Sequence, residues 1–127
     1  MFTPIAALTL ALAVILGAFG AHGLKELLAE YINVWEKAVF YHFVHGLAVL
    51  VVSLLPALGR ISESQSSKIC FLFLTGILFF SGSLYLLSVT KLKWLGAITP
   101  LGGTAFIVAW VWLAAMLISQ PKPQQYL

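Results

Sequence analysis

Residues 17–24 read GAFGAHGL, and the interpretation of the whole chain starts from this stretch. It ends an apolar run that begins near residue 4, and it carries three glycines at three-residue spacing together with His22. Glycine is more frequent in transmembrane helices than in soluble ones, because it lets a second helix approach closely. The stretch therefore predicts the end of a membrane-spanning helix, with a histidine at the membrane surface.

The composition of the chain agrees with a membrane protein. Of the 127 residues, 61% are hydrophobic and 9% are charged, and the mean hydropathy is +1.03. These values exclude a soluble domain with an ordinary core. Since one helical crossing needs about 20 apolar residues, four crossings and their connectors use nearly the whole chain. The sequence predicts one all-α membrane domain, residues 1–127, folded as an antiparallel bundle of four transmembrane helices.

The four predicted spans are residues 4–23, 38–58, 67–90 and 100–119. Pro56 predicts that the second span kinks or ends near it, because proline disrupts a helix interior. At the start of the fourth span, Thr99 is predicted to cap the helix and Pro100 to occupy its first position. The polar, proline-rich tail, residues 120–127, is predicted to be disordered.

The connector between the first two spans, residues 24–37, reads LKELLAEYINVWEK. On a helix it places leucines, Tyr31 and Trp35 on one face and charged or polar residues over much of the rest. We predict an amphipathic helix that lies in the membrane interface. The alternative is a solvated helical arm, for which the apolar stripe would need another cover.

Small residues follow one face of the first span and one face of the last. In a membrane such faces allow close helix packing. The residues predicted to pack in this way are Ala13, Gly17, Gly20, Ala21, Gly102, Gly103, Ala105 and Ala109. For Gly20 the alternative is that it only frays the end of the helix, which its low helix propensity also allows.

Polar side chains of the spans concentrate at one end of the predicted bundle, and the opposite half of each span is almost entirely aliphatic or Phe. Antiparallel crossings bring the end of the first, the start of the second, the end of the third and the start of the fourth span to one side. The residues there, which are the candidates for ligand binding, are His22, Tyr41, His45, Ser81, Tyr85, Ser88 and Thr99. The alternative is that these side chains only form structural hydrogen bonds between the helices, with His45 bonded to Tyr85 or Ser81.

Cofactor, metal and catalytic sites are not predicted. His22 and His45 should differ in depth by about 8 Å, which suits a bis-histidine haem poorly. Cys70 lies at the far end of the bundle and no carboxylate falls within a span, so a metal site lacks ligands. The sequence contains no phosphate loop and no Ser, His and acid triad within the membrane. An enzyme is therefore the less favoured class.

The charge pattern points to lipid as the partner. The net charge is +3, yet the basic residues fall in connectors and at segment ends, which favours anionic headgroups over nucleic acid. The basic residues nearest the motifs and those on the opposite side nearly balance, so the positive-inside rule leaves the orientation open. Cys70 is alone, so no internal disulfide forms and packing is its predicted role.

Four motifs in order resemble one known family. They are GAFGAHGL at residues 17–24, Tyr41 and His45 followed by GLAVL, FSGSLYLL at residues 80–87, and ITPLGG at residues 98–103. Over residues 5–118 they are similar to the small membrane family called domain of unknown function 423, which has a eukaryotic relative called transmembrane protein 256. The resemblance implies a multi-pass, four-helix protein of the bacterial plasma membrane, and it implies no activity. His42 is not among the family's marked positions and receives less weight than His22 and His45.

Two functional hypotheses follow. The first is a structural or interaction module that self-associates or joins a larger membrane complex through its small-residue faces and amphipathic helix. The alternative is a protein that binds a lipid, a quinone or another small amphiphile at the polar end through His22, His45 and Tyr85. A proton-coupled carrier lacks support, because Glu, Lys and Arg all lie in connectors or at span ends.

Overall fold

The computed structural model describes residues 1–120, and every regular element within that range is helical. Four helical segments are long and apolar enough to cross a membrane, which confirms that part of the predicted fold class. We call them spans 1 to 4, and they are Phe2–Gly23, Lys25–Leu54, Glu63–Thr90 and Lys93–Ile118. The disorder predicted for the tail falls on residues 121–127, which lie outside the described residues.

Each span is built from more than one helical piece. Span 1 is α1, Phe2–Ala18, followed by a π-helical turn, Phe19–Gly23; span 2 is α2, Lys25–Leu28, a 3₁₀ turn, Ala29–Tyr31, and α3, Ile32–Leu54. Span 3 is α4, Glu63–Gly76, a π-helical turn, Ile77–Ser81, and α5, Gly82–Thr90. Span 4 is a 3₁₀ turn, Lys93–Ala97, followed by α6, Thr99–Ile118.

The connector predicted as one helix over residues 24–37 is divided in the structure. The break lies at Ala29, where φ is 44° and ψ is −114°. The Lys91 ammonium at the end of span 3 donates to the carbonyls of Leu27 and Leu28, at 3.1 and 3.0 Å. Both carbonyls belong to the last turn of α2, so the lysine satisfies acceptors at the end of this helix. The second half of the connector belongs to α3, which begins at Ile32 and not near residue 38.

Helix ends show one signal that the sequence analysis missed and one that it misread. Span 3 begins four residues earlier than predicted, because Ser62 and Gln65 form a reciprocal capping box. The predicted cap at Thr99 is wrong, since Ile98 occupies the N-cap position. The Thr99 hydroxyl pairs with the Ser83 hydroxyl at 2.7 Å instead. Near Pro56 the helix ends at Leu54, as expected.

The hydrophobic core lies mainly between spans 2, 3 and 4. Its buried members include Val49, Val52, Ile69, Cys70, Phe73, Ile77, Phe106, Ala109 and Leu113. The Cys70 thiol is fully buried and faces the Val49 carbonyl, so it has the packing role that was predicted. Span 1 is peripheral, because 11% of its most apolar stretch is buried, against 44% in span 3.

Close contacts between spans occur at glycines. A Cβ added to Gly102 would overlap the backbone of Phe80, and one added to Gly76 would overlap the Phe106 ring, so spans 3 and 4 lie very close together. Between spans 1 and 2, Gly20 contacts the Trp35 indole, whose Nε1 donates to the Leu16 carbonyl at 2.9 Å. The glycines therefore act here as contact surface.

Candidate functional site

The two histidines of α3 are both buried, but they lie in different surroundings. The exposed fraction is 3% for His42 and 5% for His45. Although they are only three positions apart on α3, their rings contact different spans. His45 faces span 4, where it meets Trp110, and His42 faces span 3, where it meets Tyr85. Each histidine ring has two nitrogens that need hydrogen-bond partners in an apolar medium, and the partners of His45 differ from those of His42.

Both ring nitrogens of His45 are bonded within the chain. Nδ1 is 2.7 Å from the Tyr41 carbonyl, and Nε2 is 3.1 Å from Nε1 of Trp110. A carbonyl only accepts and an indole N–H only donates, so the ring is neutral with its hydrogen on Nδ1. The Phe106 ring stacks on His45, with centroids 3.5 Å apart and planes 9° apart. A ligand could reach His45 only by displacing Trp110 or Phe106.

His42 forms a pair with Tyr85 at the edge of a cavity. Its Nδ1 lies 2.9 Å from the Tyr85 hydroxyl, and Thr9 of span 1 lines the same cavity as these two residues. The Trp35 ring supports Tyr85 from the side, with centroids 4.7 Å apart. The pair therefore joins spans 2 and 3 beside span 1, inside the apolar part of the protein.

A groove of about 300 Å³ runs between spans 1 and 3 beside this pair, and we call it the Tyr85 groove. Its lining residues are Thr9, Leu12, Leu16, His42, Leu74, Ile77, Leu78, Gly82 and Tyr85. Among these residues none is Asp, Glu, Lys or Arg, so a charged group would enter without a counter-ion. The groove suits an apolar molecule with a neutral polar end.

A second groove of about 540 Å³ adjoins the first on the outer face of span 3. The two share Leu78, Gly82 and Tyr85 as lining residues. Because Gly82 has no side chain, the two grooves have no bulky side chain between them at this position. Together they offer a continuous apolar surface of the size that small-molecule sites usually have.

The other predicted site residues do not join this cavity. Ser81 donates to the Ala38 carbonyl at 2.7 Å, and Ser88 donates to the Leu84 carbonyl of its own helix at 2.8 Å. Thr99 pairs with Ser83, as described above. Tyr41 packs its ring against Phe80, and His22 is exposed at the end of span 1. The structure thus distributes the seven candidates over separate places instead of gathering them in one pocket.

Most of the small residues predicted to form packing faces already pack against other helices of the same chain. Ala13, Gly20, Gly102 and Ala109 are buried inside the chain, Gly17, Gly103 and Ala105 are half-buried, and Ala21 is exposed. Gly17 contacts Val39 of span 2. Within residues 1–120, every buried side-chain nitrogen and oxygen also has a hydrogen-bond partner. The internal contacts of these spans are therefore largely satisfied.

The structure places His42, which the sequence analysis ranked below His45, beside the groove, and it places Trp110, which the sequence analysis did not single out, against His45. The pairing of His42 with Tyr85 follows from side-chain direction once one contact between the two spans is known. Helical side chains point toward the N terminus of their own helix, so Tyr85 reaches back toward the level of Ser81. Since Ser81 lies opposite Ala38, the histidine within reach of Tyr85 is His42. Trp110 could not be found in this way, because nothing local indicates which face of span 4 meets α3.

Comparison with known proteins gives one consistent result. Residues 16–103 match the family described as Protein of unknown function (DUF423). The chain is 44% identical over 120 residues to UPF0382 membrane protein YwdK of Bacillus subtilis, covering 93% of this chain and 96% of that protein. It is 44% identical over 114 residues to UPF0382 membrane protein SAB0533 of Staphylococcus aureus, covering 89% and 91% respectively. No solved structure matches the chain.

Proposed function

We propose that this chain, which belongs to the family described as Protein of unknown function (DUF423) and has relatives that are bacterial membrane proteins, binds a small neutral amphiphile in the Tyr85 groove. The observation that carries this proposal is the His42–Tyr85 pair at the edge of an otherwise apolar groove. An apolar pocket with a few convergent polar groups is the usual form of a small-molecule site. Polar groups placed inside a membrane span are likewise candidates for function.

The two grooves suggest how such a ligand lies. Its polar end meets the Tyr85 hydroxyl, and its apolar part follows Leu78 and Gly82, which line both grooves. The ligand approaches from the lipid, since the Tyr85 groove lies between two spans and not at the core. A long-chain or isoprenoid molecule with one neutral polar group has the required shape.

The same proposal includes the arrangement of the spans. The Ser66 hydroxyl donates to the Val52 carbonyl at 2.9 Å, near the start of span 3 and the end of α3. Ser81, later in span 3, meets Ala38 near the start of α3. Such opposed pairing supports an antiparallel bundle. We place the segment Lys25–Leu28 in the membrane interface, where its charged residues face the headgroups.

Photolabelling in lipid nanodiscs tests the binding proposal. The probe is a farnesol analogue that carries a diazirine on its chain, and labelled peptides are identified by mass spectrometry. We expect the label on residues that line the Tyr85 groove. Gly82→Leu should remove most of it, because the new side chain would extend into the groove while its Cβ meets nothing closer than 4.0 Å.

Gly96→Leu is the matched control. No atom lies within 4 Å of a Cβ at Gly96, and this residue does not line either groove. Its labelling should equal that of the unaltered protein. Label spread evenly over the lipid-facing residues of all four spans, or label unaffected by Gly82→Leu, would contradict the proposal.

Self-association is the second candidate function, and one observation favours it. A groove of about 380 Å³ lies at the end of span 1, with Gly17, Gly20 and Ala21 among its lining residues. Phe40 lines the same groove and is 64% exposed. A ridge beside a groove can pair with the same surface of a second copy about a two-fold axis. We therefore propose a second copy of this chain as the occupant.

Disulfide cross-linking in native membranes tests this second candidate. In a Cys70→Ser background, Ala21→Cys should form a dimer on mild oxidation. Ala11→Cys, also exposed on span 1 but far from the groove, should stay monomeric. A monomer for both variants would count against association through this surface.

A further inference from the structure

Packing inside the chain does not explain why residue 82 is a glycine. A Cβ at Gly82 would meet only two atoms of its own span, the Ile77 carbonyl oxygen and Cδ1 of Leu78, both at 4.0 Å. In contrast, a Cβ at Gly76 of the same span would overlap the Phe106 ring. The φ of Gly82 is −59°, which suits any residue. Glycine is a poor helix former, so the open space beside span 3 is the feature that accounts for it.

Gly82 lies on the stripe of span 3 that separates the two grooves. Leu78, Gly82 and Tyr85 follow one another at spacings of four and three residues, and all three line both grooves. Leu78 and Tyr85 are about 10 Å apart along the helix axis. A π-helical turn, Ile77–Ser81, ends directly before Gly82, and such turns are frequent at functional sites. The missing side chain leaves a low point in the stripe, which we call the Gly82 saddle.

The two grooves lie on different sides of this saddle. The wall opposite span 3 comes from span 1 in the Tyr85 groove, for example through Leu12. In the second groove it comes from the start of span 4, through Leu95 and Ile98. A path from one groove to the other must therefore bend over span 3. A protein helix is a straight rod about 10 Å across and cannot follow this path, whereas a flexible hydrocarbon chain can.

The lining of the grooves determines the polarity of the occupant. No Asp, Glu, Lys or Arg lines either groove, so the occupant is neutral. The His42–Tyr85 pair is the polar point at the edge of the Tyr85 groove, and either member of the pair can be the donor. A hydroxyl end group both donates and accepts, so it is compatible with both directions of this hydrogen bond. Among neutral alcohols, the two grooves therefore discriminate by the shape of the apolar part.

We infer that the chain of the ligand crosses the Gly82 saddle from the Tyr85 groove into the second groove. The protein therefore selects a long flexible chain over a short chain and over a rigid fused-ring amphiphile of the sterol type. Lipid tails are as apolar as the grooves, so this selectivity comes from packing contacts in the second groove and not from removal of the chain from water. The inference rests on the proposed binding function and names the class of ligand for the same site.

Photolabelling at two positions of one ligand traces the path. Two geranylgeraniol analogues are used in nanodiscs that carry the full chain, one with its diazirine beside the hydroxyl group and one with its diazirine at the far end of the chain. We expect the first to label Leu12 or Leu74 of the Tyr85 groove, and the second to label Leu86 or Ile98 of the second groove. Excess unlabelled geranylgeraniol should remove both labels.

The outcomes of this labelling separate the inference from the binding function. Displaceable label from the first analogue in the Tyr85 groove, without displaceable label from the second analogue in the second groove, overturns the crossing and leaves amphiphile binding in place. Absence of displaceable label from both grooves with both analogues overturns the binding function itself. Neither outcome depends on a variant, so both remain decisive whatever a substitution does to folding.

Competition against the first analogue measures the selectivity. Geraniol, geranylgeraniol and cholesterol each carry a single hydroxyl group, and they differ in the length or the stiffness of the apolar part. We expect geranylgeraniol to displace the analogue at about fivefold lower concentration in the lipid than geraniol or cholesterol, because it alone packs in both grooves. Displacement by geraniol or by cholesterol at the same concentration as geranylgeraniol would overturn the selectivity.

Leu86→Trp tests the role of the second groove. Leu86 lines the second groove and not the Tyr85 groove, and it is 57% exposed, so a larger side chain fills that groove without disturbing the core. Geranylgeraniol should lose its advantage, and geraniol should displace the analogue as before. Val89→Trp is the matched control, since Val89 is also exposed on α5 and lines neither groove; it should keep the full advantage. An advantage unchanged by Leu86→Trp would overturn the path through the second groove.

Discussion

The two sides of α3 place the same residue type in opposite situations. On one side His45 has both nitrogens bonded by the chain, and its ring is covered by Phe106. On the other side His42 is bonded to the hydroxyl of Tyr85, a residue that lines a groove. A buried histidine in a span is thus a better functional candidate when one of its partners still has hydrogen-bonding capacity toward a cavity.

The difference arises from how closely the neighbouring span approaches. Span 4 lies tightly against span 3 through Gly102 and Gly76, and this position brings Phe106 and Trp110 over His45. Span 1 packs on span 2, where Gly46 meets Leu10, and it leaves a groove toward span 3. We call these the sealed side and the open side of α3.

Gly102→Ala should cause the largest loss of stability, because it disturbs the packing on the sealed side of α3. A Cβ at this position would overlap the backbone of Phe80, which cannot move aside as a flexible side chain can. We expect the free energy of unfolding, measured by titration with sodium dodecyl sulfate in mixed micelles, to fall by about 2–3 kcal/mol. Gly103→Ala is the control: its Cβ would make ordinary contacts of 3.7 Å with Phe80 and should cost nothing. Equal losses of stability for the two variants would show that the close contact between Gly102 and Phe80 does not hold span 4 against span 3.

Exchanging each histidine for leucine compares the two sides directly. His45→Leu removes two hydrogen bonds and a ring stack, so the free energy of unfolding should fall by about 2 kcal/mol or more. His42→Leu removes a pair whose tyrosine can turn toward the groove, and we expect a loss of about 1 kcal/mol. His22→Leu, at an exposed site, should change stability by less than about 0.5 kcal/mol. A greater loss for His42→Leu than for His45→Leu would reverse the assignment of sealed and open sides.

Lys91→Met should have a small effect on global stability and a clear local one. Lys91 bonds two carbonyls of the connector and lies 4.5 Å from the centre of the Tyr31 ring. Its loss should lower the free energy of unfolding by about 1 kcal/mol. Amide hydrogen exchange should become faster in residues 25–31, because the connector next to the open side loses its fixed end. Exchange that matches the exposed control Lys93→Met would mean that packing of Leu28 holds the connector without the lysine.

The candidate site could be predicted only in part. Tyr85 is a candidate from the sequence, because a polar side chain inside an apolar span stands out, and the structure shows that it lines the groove. The sequence analysis ranked His45 above His42, although the two are equally visible in the sequence. The ranking depends on which helix covers each face of α3, and the pattern of one span contains no information about its neighbour. Ser81 and Ser88 do not line the groove, because each hydroxyl bonds a backbone carbonyl, as serines in a span often do.

The sequence by itself determined the class of the protein and the number of its spans. Hydrophobic length is a property of each segment, and the bilayer thickness converts it into a crossing without reference to other segments. Only the tertiary structure decided where span 2 breaks, because the lysine that binds the Leu28 carbonyl lies 63 residues away. The tertiary structure also decided which histidine is sealed, since helix spacing depends on glycine contacts between segments that are distant in the chain.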